Sequence, residues 1–310
     1  SATNDGVYTG GATVNQFGYS LASGDFNSDG LTDLAVGAST YSLNVGRTYI
    51  FNNQNIVGGA FFSTVGAASV TITGESLSGF GEALASGDFN SDGRIDLAVG
   101  ADDYSSSTGR AYIFYNDGSI PTTAATADVI ISGASSSLFG STLVSGDFNN
   151  DGRTDLATGA VDASLGSLYI FYNDGTFPTT AATADIQIIS DTTNGNALGS
   201  ALLSGDFNSD GKIDLIAGDY DYAAADGAVY FYDGRDNFSW TLQEQYSSTA
   251  PRVTSGFSGQ ELRVTGETTN SYFGYSLASG DFNADGKTDL AVGAYGYSSS
   301  TGRAYVFYSD

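Results

Sequence analysis

The chain has 310 residues, with 10 Lys and Arg, 35 Asp and Glu, and a formal net charge of −25. So acidic a chain repels nucleic acid and anionic membrane surfaces, and it attracts cations. The absence of Cys, His and Met excludes a Ser–His–Asp triad, a thiolate nucleophile and the usual sites for soft metals. No apolar run approaches the ~20 residues that a membrane-spanning helix needs, so we expect no membrane insertion.

Four short runs recur in a fixed order along the chain, and we name them strands A to D. Examples are SLASGDF for A (20–26), DLAVGA for B (33–38), GRAYIFY for C (109–115) and VTITG for D (70–74). They are short, alternating or rich in β-formers, and bounded by Gly, Asn, Asp and Ser, which predicts β-strands. No stretch shows helical periodicity over ten or more residues, so the sequence predicts an all-β fold.

The set of four strands is repeated five times, at intervals of 59 to 75 residues. Four strands per unit, repeated radially, are typical of a β-propeller. The chain starts with a D-like run, GVYTGG (6–11), and ends with a C strand, GRAYVFY (302–308). We therefore expect one domain, 1–310, with five blades of four antiparallel strands, whose ring is closed when residues 7–10 complete the last blade.

One insertion, about 234–260, interrupts the pattern between a C strand and the next D strand. It contains Trp240, which is the only Trp, and Asn237, which begins the only N-x-S/T sequon. Asn237 is a candidate glycosylation site. The insertion is predicted to be a decorated loop or, alternatively, a flap that contacts a partner through Phe238 and Trp240.

Each A–B connection carries the same acidic loop. In the first copy, Asp25, Asn27 and Asp29 alternate and Gly30 follows, which is the D-x-[DN]-x-[DN]-G pattern of calcium loops. Position twelve is the apolar Val36 and not a bidentate Glu, so the loop is not an EF-hand and Asp33 at position nine is expected to close the site. Hard oxygen ligands in a flexible loop favour Ca²⁺ over Mg²⁺.

The five predicted calcium loops are 25–33, 88–96, 147–155, 206–214 and 281–289. Each supplies three Asp, one Asn and the backbone carbonyl of the seventh residue. The predicted ligands are Asp25, Asn27, Asp29, Leu31 and Asp33; Asp88, Asn90, Asp92, Arg94 and Asp96; Asp147, Asn149, Asp151, Arg153 and Asp155; Asp206, Asn208, Asp210, Lys212 and Asp214; and Asp281, Asn283, Asp285, Lys287 and Asp289. We expect about five Ca²⁺ ions, whose binding is coupled to folding.

The run FGYSLASGDFNSDGLTDLAVGA (17–38) resembles the FG-GAP repeat of integrin α-subunit propellers. Phe17–Gly18 corresponds to the Phe-Gly pair and Gly37–Ala38 to the Gly-Ala pair. Propellers of this family commonly have seven blades, whereas five units are present here. The fourth unit ends its B strand in Gly218–Asp219, and the third and fourth units lack the Arg that begins strand C in the others.

The resemblance implies that the calcium loops lie on one face of the propeller and that ligands meet the other face, with its B–C and D–A loops. Tyrosines in the B–C loops are candidate contacts for a glycan or protein, and packing between blades is the alternative. These tyrosines are Tyr41, Tyr104, Tyr220, Tyr222, Tyr295 and Tyr297. Strand-C aromatics such as Tyr112 and Phe114 are predicted to lie in the core.

Together these patterns predict a secreted or cell-surface, calcium-stabilised β-propeller that acts as a non-catalytic binding or adhesion module for protein or glycan. If it is secreted, the start SATNDG is expected to be a mature or trimmed one. A self-assembling filament or surface-layer subunit is one alternative. A polysaccharide-acting enzyme is another, with the pairs Asp102–Asp103 and Asp219/Asp221 as the spare carboxylates.

Overall fold

The computed structural model describes residues 6–10, 15–53, 61–161, 166–190, 197–232, 252–255 and 262–309. The chain divides into two compact units. One comprises Ser1–Leu143 and Asn173–Thr183, and the other comprises Val144–Tyr172 and Ala184–Asp310. Within the described ranges, no helix is both long enough and apolar enough to cross a membrane.

The fold is all-β, with five antiparallel sheets in chain order. The first sheet contains β2 (Leu21–Gly24), β3 (Asp33–Ala38), β4 (Arg47–Phe51) and β6 (Val70–Thr73), and the second contains β7 (Leu84–Gly87), β8 (Asp96–Ala101), β9 (Arg110–Phe114) and β10 (Val129–Ser132). The third contains β11 (Phe139–Gly146), β12 (Asp155–Val161), β13 (Gly166–Phe171) and β14 (Ile186–Ile189). The fourth contains β15 (Leu198–Gly205), β16 (Asp214–Asp219), β17 (Ala228–Tyr232), β18 (Arg252–Ser255) and β19 (Leu262–Thr265). The fifth contains β20 (Phe273–Gly280), β21 (Asp289–Ala294) and β22 (Arg303–Phe307).

The strands follow the predicted A to D order, and their burial explains the composition of each run. Every residue of the B strand β8 is buried, so this run is continuously apolar apart from its first Asp. In strand C of the same sheet, Tyr112 and Phe114 are fully buried, which confirms them as core residues. Both pack edge-on against the ring of Phe80, the Phe of a Phe-Gly pair.

The Phe-Gly and Gly-Ala pairs lie where consecutive sheets pack together. A Cβ added to Gly100, in the Gly-Ala pair of the second sheet, would lie 2.0 Å from the carbonyl oxygen of Gly140, in the next Phe-Gly pair. Gly140 itself has a φ of +91°, which favours glycine. The recurring glycines therefore permit the close approach of one sheet's backbone to the next.

Four B–C connections form four-residue helical turns: α1 (Tyr41–Asn44), α2 (Tyr104–Ser107), α3 (Tyr222–Ala225) and α4 (Tyr297–Ser300). Left-handed residues occur in all four turns, and in α1, α2 and α4 they occur in succession. In α2, Ser105, Ser106 and Ser107 have φ values of 51°, 58° and 63°. Consecutive left-handed residues other than Gly are unfavourable, and the turn α1 places even Leu43 in this region, with a φ of 59°. Short 3₁₀ turns also occur, for example at Val65–Ala67, Ala124–Thr126 and Ala181–Thr183.

The prediction that residues 7–10 complete the last blade is wrong, because the N-terminal run pairs with a different strand. Strand β1 (Gly6–Thr9) pairs in parallel with β5 (Phe61–Thr64), and the fifth sheet has three strands among the described residues. The run GVYT contains nothing that specifies one partner, and the extra β-rich segment before β6 supplies an edge. The tail of the 234–260 insertion forms β18, which pairs with β19. Asn237, Phe238 and Trp240 lie outside the described residues.

Candidate functional site

The five acidic loops share one hydrogen-bonding pattern. In the first loop, the two carboxylate oxygens of Asp25 accept hydrogen bonds from the backbone amides of Asp29 and Gly30, at 3.0 and 2.8 Å. The Asn27 side-chain oxygen accepts from the Asp29 amide, and the Asp29 carboxylate accepts from the Leu31 amide. The same four bonds occur in the loops that begin at Asp88, Asp147, Asp206 and Asp281.

The ninth-position aspartates differ from the others because they are buried at the start of strand B. In the second loop, Asp96 accepts hydrogen bonds from the backbone amides of Phe89 and Asn116, at 2.8 and 2.7 Å. Burial above all, and then the charge of Asp92, raises the pKa of Asp96 to about 6. This side chain therefore ties the acidic loop to both strand B and the end of strand C.

The donor set of each loop fits a hard divalent cation. Asp25 and Asp29 are close enough to Asp33 for their charges to contribute to its raised pKa, whose largest cause is burial. Three carboxylates held together in this way are unfavourable without a positive charge, and oxygen is the ligand that Ca²⁺ prefers. In the part of the chain that the structure describes, no group of three Asp, Glu, His or Cys side chains is already gathered around a common point for a metal ion.

The acidic loops also join consecutive sheets, which the sequence did not predict. Asn116, the second residue after strand C of the second sheet, donates its side-chain amide to the carbonyl of Phe26 in the first acidic loop, at 3.0 Å. Asn173 and Ser309 make the same contact with Phe89 and Phe207. The sequence feature that could have predicted these contacts is the polar residue that follows each of these C strands. Order in one loop is therefore linked to the position of the next sheet.

Four of the six candidate ligand tyrosines are covered by an arginine. Arg47, Arg110 and Arg303 lie over the rings of Tyr41, Tyr104 and Tyr297, with distances from the guanidinium carbon to the ring centroid of 3.9, 3.6 and 3.8 Å. In the fourth sheet, strand C begins with Ala228, and Arg263 of strand D lies over Tyr222 at 4.5 Å. The arginine that strand C of this unit lacks is thus supplied by strand D.

The two remaining candidates, Tyr220 and Tyr295, belong to a cluster with two tyrosines that the sequence did not single out. Tyr272 stacks on Tyr295 at a centroid distance of 4.7 Å, and Tyr275 meets Tyr295 edge-on at 4.7 Å. Tyr220 lies 5.4 Å from Tyr275. Tyr275 and Tyr295 are each about half exposed. We call these four residues the tyrosine cluster.

The spare carboxylates occupy two different environments. Burial, followed by the charges of Glu82 and Asp103, raises the pKa of Asp102 to about 7. Glu82, which was not predicted, accepts hydrogen bonds from the Tyr19 and Ser39 side chains, and its pKa is raised mainly by burial. Glu82 is marked in the sequence only by its place directly after a Phe-Gly pair.

Asp219 has a structural role in the fourth sheet. Its carboxylate accepts a hydrogen bond from the Ala197 amide at 3.1 Å, and further bonds from the amides of Asp221 and Tyr222. Burial is the main cause that raises its pKa to about 6, and the charge of Asp221 adds to it. The Asp219 carboxylate therefore holds the backbone of the turn that contains Asp221 and leads into Tyr222.

The comparisons with known proteins agree with the repeat pattern. The FG-GAP repeat model matches residues 17–51 and 273–307, and the FG-GAP-like repeat model matches residues 88–158 and 147–217. These matches include the Phe-Gly pairs of the first and fifth sheets and all five acidic loops in full.

Two kinds of curated relative are similar to the chain. A phosphatidylinositol-glycan-specific phospholipase D of Rattus norvegicus is 34% identical over 64% of this chain and 24% of its own length. Integrin alpha-PS2 of Drosophila melanogaster is 32% identical over 78% of this chain and 18% of its own length, and integrin alpha-5 of Xenopus laevis is 31% identical over 50% and 15%. The chain thus spans about a quarter or less of these relatives, and it belongs to the FG-GAP repeat family.

Proposed function

We propose that the chain is a calcium-stabilised, non-catalytic binding or adhesion module of an extracellular or cell-surface protein, with its five sheets as the blades of a β-propeller. The observation that carries the proposal is the fivefold acidic loop, with its identical hydrogen bonds and its buried ninth-position Asp. Integrin α subunits and the phospholipase D contain similar sequences, which supports an extracellular setting but does not choose between adhesion and catalysis.

In each loop, one Ca²⁺ would be held by the side chains at positions one, three, five and nine and by the carbonyl at position seven. In the second loop these residues are Asp88, Asn90, Asp92, Arg94 and Asp96. A bound cation would neutralise the carboxylates that otherwise repel each other. Because the loops also contact the following sheet through residues such as Asn116, Ca²⁺ would stabilise the packing of the sheets as well as the loop.

Calorimetric titration of the metal-free chain with Ca²⁺, paired with thermal unfolding in Ca²⁺ and in EGTA, tests this proposal. We expect about five ions per chain. A ligand at 100 times its Kd stabilises a protein by about 2.7 kcal/mol for each site, so the melting temperature should fall by more than about 10 °C in EGTA. An unchanged melting curve in EGTA would refute the calcium part of the proposal.

The non-catalytic part of the proposal has its own test. Asp102 and Glu82 form a carboxylate pair with raised pKa values, which is a feature of some catalytic sites. Incubation with a panel of polysaccharides, followed by measurement of released reducing ends, should give no turnover. Turnover that disappears in Asp102→Asn would establish an enzyme instead.

Self-association is a second candidate, favoured by the surfaces of the first and fifth sheets. Leu21 of β2 is 61% exposed, whereas its counterpart Leu84 is 8% exposed. Phe282 in the fifth acidic loop is 49% exposed, whereas Phe89 is 1% exposed. We infer that a second copy packs against these surfaces head to tail.

Light scattering over a concentration series, together with electron microscopy, tests for this association. Leu21→Ser and Phe282→Ser should each lower the average mass, and Leu84→Ser serves as the control that perturbs a buried position. A chain that remains monomeric at all concentrations would reject the second candidate without affecting the first.

A further inference from the structure

The tyrosine cluster differs from the other turn tyrosines that the structure describes because no guanidinium group from the described residues lies over its rings. Tyr41, Tyr104, Tyr222 and Tyr297 each have an Arg on one ring face. Tyr220, Tyr272, Tyr275 and Tyr295 instead contact one another. Their outer surfaces are therefore available to a ligand.

The cluster is assembled from adjacent sheets of one compact unit. Tyr220 directly follows β16 of the fourth sheet, and Tyr295 directly follows β21 of the fifth. Tyr272 precedes β20, and Tyr275 lies within it. Three separate segments contribute the four tyrosines. The spacing of the rings is therefore fixed by the two sheets and not by the conformation of a single loop.

Close contacts hold the inner ring of the cluster in place. A Cβ on Gly296 would lie 2.6 Å from the Cδ2 of Tyr272, so glycine makes room for the Tyr272 ring below Tyr295. Tyr272 has a φ of 53°, a conformation that is unusual for a bulky residue. The corresponding residues before other Phe-Gly pairs are Gln16, Gly79 and Leu138. The aromatic residue is therefore specific to this unit.

The exposed rings form a corner of a size that suits a sugar. The planes of Tyr275 and Tyr295 meet at 70°, and both rings are about half exposed. Two half-exposed tyrosines offer on the order of 200 Å² of surface, whereas each partner in a standard protein interface buries about 800 Å². A pyranose ring can stack its C–H face on one ring and bring its edge to the other, with the tyrosine hydroxyls near its hydroxyl groups.

The net charge disfavours an anionic ligand of the cluster. The net charge of −25 opposes anionic glycans. The carboxylate of Asp219, which is close to Tyr220 in the chain, is buried and accepts backbone hydrogen bonds, so it is not presented for pairing with a cationic partner. We propose that the tyrosine cluster binds neutral hexopyranose glycans, an assignment that rests on the proposed binding function and names its ligand class.

Affinity electrophoresis in Ca²⁺ tests the assignment, with gels that contain galactan, mannan, β-glucan or xylan as neutral probes and alginate as the anionic probe. We expect at least one neutral polysaccharide, but not alginate, to retard the chain. The combined variant Tyr275→Ala with Tyr295→Ala should weaken that binding at least tenfold. Tyr275→Phe with Tyr295→Phe should retain most of it if stacking dominates.

The chain contains a matched control. Residues 17–24 and 273–280 are the same octapeptide, FGYSLASG, and Tyr19 is exposed to nearly the same extent as Tyr275. Tyr19→Ala should leave glycan binding unchanged, and thermal unfolding should show that all the variants remain folded. Equal loss of binding in Tyr19→Ala and Tyr275→Ala would overturn the site.

Two other results would overturn the ligand class or the site. If oligo-arginine peptide binds the cluster while no neutral polysaccharide does, the ligand is cationic. If a neutral polysaccharide binds the double variant as tightly as the original chain, the glycan site lies elsewhere and only the broader binding function stands. The dependence of the melting temperature on Ca²⁺ is measured separately. If the chain is stabilised by Ca²⁺ but binds no glycan, this site fails while the calcium part of the proposed function stands. If Ca²⁺ does not stabilise the chain, the proposed function itself fails.

Discussion

The two ends of strand B differ in how much their flanking residues vary among the five repeats. At the acidic-loop end, five copies keep the same ligand-type residues and the same hydrogen bonds. At the opposite end of strand B, the residues after the Gly-Ala position vary, for example Ser39, Asp102, Tyr220 and Tyr295. Uniform contacts are expected where every sheet needs the same support, and variable ones where a surface acquires a specific partner.

The two FGYSLASG octapeptides illustrate the difference. Tyr19 donates a hydrogen bond to Glu82, whose pKa is raised mainly by burial. Tyr275, with the same neighbours in sequence, contacts the rings of Tyr220 and Tyr295. Identical local sequence therefore produces a polar site in one sheet and an aromatic one in another, because the facing residues come from other segments of the chain.

The largest effect is expected at the acidic-loop end, from Asp96→Ala. This change leaves the buried amides of Phe89 and Asn116 without the carboxylate that accepts their hydrogen bonds. The free energy of unfolding should fall by about 3 kcal/mol or more. Denaturant unfolding in Ca²⁺ measures the loss. Asp117→Ala, at an exposed acidic residue outside the loop, is the control, and equal stabilities of the two variants would contradict the structural role of Asp96.

A smaller loss is expected from the contact between sheets. Asn116→Ala removes the donor to the Phe26 carbonyl, which should cost about 1–3 kcal/mol because a buried acceptor loses its partner. Asn116→Ser should recover part of the stability, since Ser309 makes the same kind of contact with Phe207. If the Ser variant is no more stable than the Ala variant under chemical denaturation, this contact does not support the sheet packing.

Much of the fold was predictable because the same strand and loop patterns recur in every repeat. The four strands, the buried Tyr112 and Phe114 and the acidic loops follow from alternation, turn residues and motif spacing. The partner of β1 was not predictable, because its short run specifies no register. The position of Arg263 over Tyr222 was equally hidden, because the contact joins residues that are distant in sequence. The tyrosine cluster was only half predicted, since Tyr272 and Tyr275 precede or lie within a strand and not a B–C loop.

At the variable end, pH should affect stability through Asp102. Its pKa of about 7 in the folded chain exceeds the value of about 3.9 for an unperturbed Asp, so the folded state binds the proton more tightly. This contribution to stability is fully present below about pH 4 and is lost as the pH rises towards 7. Asp102→Asn should therefore be more stable than the original chain at pH 8, by on the order of 2 kcal/mol, and similar to it at pH 4.

Unfolding curves at several pH values between 4 and 8 measure the difference between the two chains. Asp103→Asn is the matched control, and it should give a weaker effect because Asp103 contributes to the Asp102 pKa after burial and Glu82. A difference between the original chain and Asp102→Asn that does not change with pH would show that Asp102 does not titrate in this range.

The smallest effect is expected where an arginine covers a turn tyrosine. Arg110 lies 3.6 Å above the Tyr104 ring and forms an ion pair with Glu75 at 2.8 Å. Arg110→Lys keeps the charge but loses the planar stacking, so the free energy of unfolding should fall by about 1 kcal/mol. Arg303→Lys should cost less, because the Arg303 side chain is 42% exposed compared with 21% for Arg110. A double-mutant cycle with Tyr104→Leu isolates the stacking energy, and a coupling near zero would mean that the arginines only fill space beside the turns.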